Sequence, residues 1–166
     1  MFTEIMGLPA HALIVHAAVV FIPLAVLAAI AYALVPFTRR HIWWIVLALA
    51  IVAPGAAWAA RLSGDQYRAY WVDHGASGEF LNKIDIHQSF GNTCSLWTTG
   101  LGVVMLALVL YAIPRPVDAG GSAVAVRPRA LVLVTVVVTV VVALITAYYV
   151  YKTGDAGARA THPTIS

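Results

Sequence analysis

Residues 131–151, LVLVTVVVTVVVALITAYYVY, decide the fold: the run is 21 residues long and carries no charged side chain. A hydrocarbon core about 30 Å thick needs about 20 apolar residues of α-helix to cross it. Three further stretches share this character, His11 to Pro36, Ile42 to Ala60 and Thr93 to Ile113, and none holds an Asp, Glu, Lys or Arg. In lipid only helices and closed barrels satisfy every backbone N–H and C=O. These runs are continuously apolar instead of alternating, as barrel strands would be. The expectation is an all-α polytopic membrane protein, four transmembrane helices in a bundle, with residues 61–92 as a structured extracytoplasmic loop and 114–130 as a cytoplasmic loop.

Composition agrees with that class. The chain has 166 residues, 61% hydrophobic and 10% charged, which leaves no room for a separate soluble domain of ordinary size. The net charge of +3 comes from arginines at the ends of the apolar runs. That is an orientation signal and gives no reason to expect a nucleic-acid partner. Arginine outnumbers lysine, and Ala and Val dominate the spans, as in a GC-rich bacterial genome. A single cysteine, Cys94, excludes an internal disulfide and reads as a small packing residue. The N-terminus carries Glu4 where a signal peptide would be basic, so span one is expected to remain as an anchor.

Charge sets the expected orientation. Arg39 and Arg40 lie in the first connection, and Arg115, Arg127 and Arg129 in the third. The second mixes Arg61, Arg68 and Lys83 with Asp65, Asp73, Glu79 and Asp85. Connections one and three are therefore cytoplasmic, and both termini and residues 61–92 extracytoplasmic, in a bacterial plasma membrane. Trp43 and Trp44 at one interface, and Tyr148, Tyr149 and Tyr151 at the other, read as anchors.

Lipid is as apolar as leucine, so the spans must associate through close backbone approach and a few hydrogen bonds. Candidate seams are Ala53, Ala56, Ala57 and Ala60 in span two, and Gly91, Ser95, Thr99 and Gly102 in span three. Span four offers Thr135, Thr139, Ala143 and Ala147. Pro23 and Pro54 should kink their helices. In the second connection Tyr67, Tyr70 and Trp71 recur at helical spacing, as in a short interfacial helix with a structural or docking role. Phe80, Leu81, Ile84 and His87 define a helical face that runs into span three.

Five of the six histidines, His11, His16, His74, His87 and His162, fall on the outer side in this topology. At 1.5 Å per residue, His11 and His87 come level at about 37–39 Å from the cytoplasmic ends, and His16 at about 30 Å. His16 with His87 is the candidate haem b pair. His11 with His87 is the candidate metal pair, with Asp73, Glu79 or Asp85 as a further ligand. The competing structural reading has these rings hydrogen-bonding loops and helix ends. No catalytic constellation is expected, because no span holds an Asp, Glu, Lys or Arg and no phosphate loop, nucleophile elbow or metalloprotease motif occurs.

Gly7-Leu8-Pro9-Ala10-His11-Ala12-Leu13-Ile14-Val15-His16 with Pro23, then Ser63-Gly64, His87-Gln88-Ser89-Phe90-Gly91 and Gly154-Asp155-Ala156-Gly157-Ala158-Arg159-Ala160 occur in order along the chain. Together they resemble a bacterial family of four-span membrane proteins catalogued as domain of unknown function 2231. The chain departs from that pattern at Ala12, where proline is usual, and at Thr161, where tryptophan is common. The resemblance implies four helices and no established activity. It marks His11, His16, His87, Asp155 and Arg159 as candidate positions, with Asp155 and Arg159 able to lock the C-terminal tail onto the outer loop. The function expected is a non-enzymatic accessory or stabilising subunit of a cell-envelope assembly, with other integral membrane subunits as partners and no cofactor. The alternative is a haem- or metal-binding redox protein using the outer histidines.

Overall fold

A computed structural model describes residues 4–5, 8–112 and 129–161. Four long helices account for nearly all of them: α1 (Ala10–Leu34), α2 (Arg39–Asp73), α3 (Glu79–Ala112) and α4 (Arg129–Thr161). A two-residue antiparallel ladder, β1 (Glu4–Ile5) with β2 (Leu8–Pro9), precedes α1. All four helices are long and apolar enough to cross a membrane. α1 packs on α2 and α4, and α3 packs on α2 and α4, so the helices close a ring in which α1 and α3 meet only lightly across the middle.

The turns follow from local chemistry. Val35 precedes Pro36, whose ring disfavours helical backbone at the residue before it, and Val35 leaves the helix at φ −119°. The carbonyls at the end of α1 would then lack partners. Arg39 Nε donates to Tyr32 O at 2.8 Å and its Nη2 to Ala33 O at 2.8 Å, supplying both donors and a positive charge at the negative end of the helix dipole. At the other end of the bundle, Gly75 adopts φ +79° and closes α2. The Ala76 N–H then donates to Trp71 O and the Gly75 N–H to Val72 O, the paired bonds of a glycine C-cap.

Small residues line the seams. Ala50, Ala53 and Ala57 of α2 are buried, as are Ala18, Ala25, Ala29 and Ala33 of α1, and Ala143 of α4. The closest approach is at Gly102 of α3, where a Cβ would stand 2.5 Å from Ala50 O and 3.0 Å from the Pro54 ring. Ala50 O is the carbonyl that a residue at position 54 would normally bond, and proline has no N–H to offer. The hydrogen that Gly102 carries in place of a side chain therefore points at an acceptor freed within α2. α1 and α2 continue on both sides of Pro23 and Pro54.

Threonines satisfy themselves on their own helices. Thr98 donates to Cys94 O and Thr139 to Thr135 O. Thr146 donates to Val142 O at 2.8 Å and reaches Trp97 O on α3 at 3.3 Å, while Trp58 Nε1 of α2 donates to Thr99 Oγ1 at 2.9 Å. The seam on α4 is thus Thr139, Ala143 and Thr146, with Thr135 and Ala147 only half-buried. Cys94 is buried beside Thr98. Leu27, Val103, Leu110 and Leu133 point outward, an apolar exterior suited to lipid.

Residues 61–92 correct the expectation of a loop with a separate interfacial helix. α2 runs without interruption to Asp73 and α3 starts at Glu79, so only residues 74–78 form a turn. Tyr67, Tyr70 and Trp71 lie on the continuation of span two, because no helix-breaking residue separates them from it. At 1.5 Å per residue α2 is about 52 Å long and α3 about 51 Å, roughly 20 Å more than a hydrocarbon core. The connection 114–130 lies mostly outside the described residues.

The Gly102 contact gives a direct test. Gly102→Ala should lower the bundle's unfolding free energy by about 1–3 kcal/mol, since backbone must move to admit the methyl. Gly100→Ala, with nothing within 4 Å of the added Cβ, should leave it unchanged or raise it slightly. Thermal melts of the two variants in mild detergent decide between these outcomes.

Candidate functional site

The end of the bundle that carries the α2–α3 turn gathers the residues singled out by sequence. α1 starts at Ala10, which brings His11 beside the part of α2 that follows Ala60. Ser63 Oγ donates to Ala60 O at 2.9 Å, so the 2.9 Å contact between His11 Nδ1 and Ser63 Oγ is made by a protonated Nδ1. The ring stacks on Tyr67, with centroids 5.6 Å apart and planes 20° off parallel. Beneath it lies Gly64, where a Cβ would stand 3.2 Å from His11 Cε1.

The α3–α4 pair repeats this arrangement. His87 Nδ1 donates to Thr153 O at 2.9 Å, which again fixes the proton on Nδ1. Gly157 supplies the space: a Cβ there would come within 3.0 Å of His87 Cε1 and 3.1 Å of Nδ1. One turn along α3, Gly91 faces Thr153. In each helical hairpin the first helix contributes an imidazole, and the second contributes an oxygen that holds Nδ1 and a glycine that admits the ring. The two histidines are linked by contacts of their neighbours: Gln88, next to His87, bonds Asp65, next to the Gly64 that lies against His11.

His16 does not join them. Five residues after His11 it faces the exterior of α1, and its Nδ1 bonds Ala12 O of its own helix at 2.5 Å. The candidate His16–His87 haem pair is therefore not brought together. Residue counting already set the two at different depths, and a five-residue step on a helix turns a side chain about 140° away from its starting face. His74 likewise bonds its own helix, at Tyr70 O, and stacks on Tyr70. His162 lies outside the described residues.

Two of the three acids proposed as further ligands are engaged elsewhere. Asp85 pairs with Arg68, Nε to Oδ1 at 2.5 Å and Nη2 to Oδ2 at 3.3 Å, and Glu79 with Lys83 at 2.9 Å. Among the described residues no group of three His, Cys, Asp or Glu side chains converges. Asp155 and Arg159 pair with each other one turn apart on α4, at 3.1 Å. They do not lock a tail onto a loop, because the presumed tail is the last three turns of that helix.

Beyond the histidines α2 and α3 form a clamped pair of arms. Arg68–Asp85 and Gln88–Asp65 cross between them. An aromatic chain follows, Tyr67 edge-on to Trp71 at 6.0 Å and Trp71 edge-on to Phe80 at 5.3 Å. The buried Trp71 Nε1 finds no acceptor among the described residues. Tyr70, Val72, Phe80 and Ile86 remain exposed on the arms.

No protein-family model, curated protein or solved structure matches the chain. The roles of Ser63, Gly64, Thr153 and Gly157 went unread in the sequence, although each sits in or beside a quoted motif. The usable signal was a glycine beyond the apolar run of both even-numbered helices, Gly64 in α2 and Gly157 in α4.

The glycine seats predict a ring displacement. In protein labelled with 15N-histidine, Gly157→Ala should shift the hydrogen-bonded Nδ1–H signal of His87, because the methyl occupies the ring's edge. Gly154→Ala, open to 4 Å, should leave that signal in place.

Proposed function

We propose that the chain is a non-enzymatic integral membrane protein of the bacterial plasma membrane, an accessory or stabilising subunit of a larger cell-envelope assembly such as a substrate importer or a respiratory complex. The observation that carries this reading is the pair of clamped arms. They continue α2 and α3 about 20 Å past the hydrocarbon and hold Tyr70, Val72, Phe80 and Ile86 exposed in an aqueous region. An apolar patch on a rigid support, rich in aromatic residues and rimmed by Arg68, Asp85, Glu79 and Lys83, has the make-up of a docking surface.

The arms belong on the extracytoplasmic side in this reading. Arg39, Arg40 and Arg129 lie at the opposite end of the bundle, the end that the positive-inside rule assigns to the cytoplasm. The apolar exterior of the helices would meet lipid and neighbouring membrane subunits. The order of motifs that resembles the four-span family of unknown function fits a protein of this size and architecture.

Tagged protein purified from its native membranes in mild detergent should bring other integral membrane proteins with it in stoichiometric amount. A Tyr70→Lys, Phe80→Asp double variant should lose them while melting at the same temperature as wild type. Recovery of wild type as a lone bundle at native expression, or undiminished recovery of partners by the double variant, would overturn the reading.

A further inference from the structure

We propose that His11 and His87 together bind a transition-metal centre through their Nε2 atoms. Four features of the bundle end support the assignment. The two rings come from separate helical hairpins, α1–α2 and α3–α4, and the hairpins are tied beside them: Gln88, next to His87, bonds Asp65, next to the Gly64 that seats His11. Each ring has its Nδ1 proton committed to an oxygen, Ser63 Oγ or Thr153 O, so in the neutral ring the lone pair resides on Nε2. Histidines that ligate metals almost always donate the other ring N–H in this way, which fixes the tautomer and raises the basicity of the ligating nitrogen. Neither Nε2 has a hydrogen-bond partner among the described residues.

The third feature is restraint. Gly64 and Gly157 leave each ring a fitted seat, and Tyr67 covers the face of His11, so both imidazoles are oriented before any ligand arrives. The fourth is the chemistry of the donor set. Asp85 is held by Arg68, Glu79 by Lys83 and Asp65 by Gln88, and the two imidazole nitrogens are the donors offered without such a partner. Imidazole suits zinc, copper, nickel and iron, whereas magnesium and calcium require oxygen. Two protein nitrogens leave the remaining positions of the metal to water or to the four nitrogens of a porphyrin. A free ion and a haem iron share this chemistry, and the experiment separates them. His16, five residues away on the exposed face of α1, has no part in the site.

The test uses the full chain in mild detergent, stripped with chelator. It is titrated with Cu2+, followed by electron paramagnetic resonance, and separately with ferric haem b, followed by its Soret absorption. One Cu2+ per chain with nitrogen hyperfine structure, weakened at least about tenfold in both His11→Gln and His87→Gln but unchanged in His16→Gln, establishes the site as a free-ion site. A one-to-one Soret band lost in the same two variants establishes it as a haem site. Glutamine keeps a side-chain donor for the Thr153 carbonyl, and thermal melts check that the variants fold. If His87→Gln does not fold, Gly157→Ala displaces the ring instead and must weaken binding in the same way. Absence of one-to-one binding of either probe, or binding that survives both substitutions, overturns the proposal.

Discussion

A freed carbonyl inside α2 and a missing side chain on α3 set the spacing of the whole bundle. Pro54 leaves Ala50 O without its helical partner, and Gly102 brings the backbone of α3 directly against it. Lipid offers no hydrophobic gain for bringing two helices together, so such contacts, with the alanine seams on either side, have to hold the helices by proximity. The threonines follow the same constraint. Each buried hydroxyl is spent on a carbonyl of its own helix, and Thr146 shares its proton across to Trp97 O. The core built this way is rich in alanine, with Tyr32, Leu101, Met105 and Leu108 filling its middle, while many other bulky apolar residues point outward.

That packing also positions the histidines. Once α2 and α3 are fixed at Gly102, their continuations past the apolar segments run side by side, close enough for Arg68 to reach Asp85 and for Trp71 to meet Phe80. α1 is shorter than its neighbours and begins where Ser63 and Gly64 face it, while α4 passes Thr153 and Gly157 along His87. Both rings are therefore gripped by backbone geometry laid down some 20 Å away. The arms and the histidine seats are one mechanical unit, because α2 carries Ser63 and Gly64 and α3 carries His87.

Much of the fold was legible in the sequence. Four uncharged runs of the right length gave the four helices, and Ala53, Ala57, Ser95 and Ala143 took the buried positions that their small size suggested. The histidine level was half legible. Counting residues from the helix ends places His11 beside His87, since rise per residue is fixed. Counting gives depth alone: it set His16 deeper than His87 and said nothing of the exposed face on which His16 lies. The arms were misread as a loop because charged residues between two spans look alike whether they coil or continue a helix. Nothing between Ala60 and Asp73 breaks a helix, and Gly64 in a polar stretch was read as punctuation when it is a seat for a ring.

The sequence by itself determined that this chain forms four helices suited to a membrane, where each begins to be apolar, and which residues are small enough to lie between them. These are properties of consecutive residues, set by hydropathy, helix rise and the cost of an unpaired backbone group in lipid. Only the tertiary structure decided which histidines turn toward a neighbouring helix, that Ser63 and Thr153 hold their Nδ1 protons, and that Asp85 and Glu79 are occupied by arginine and lysine. Those facts depend on the rotation of each helix about its axis, and that rotation is fixed by side-chain contacts between segments more than fifty residues apart, which no local pattern encodes.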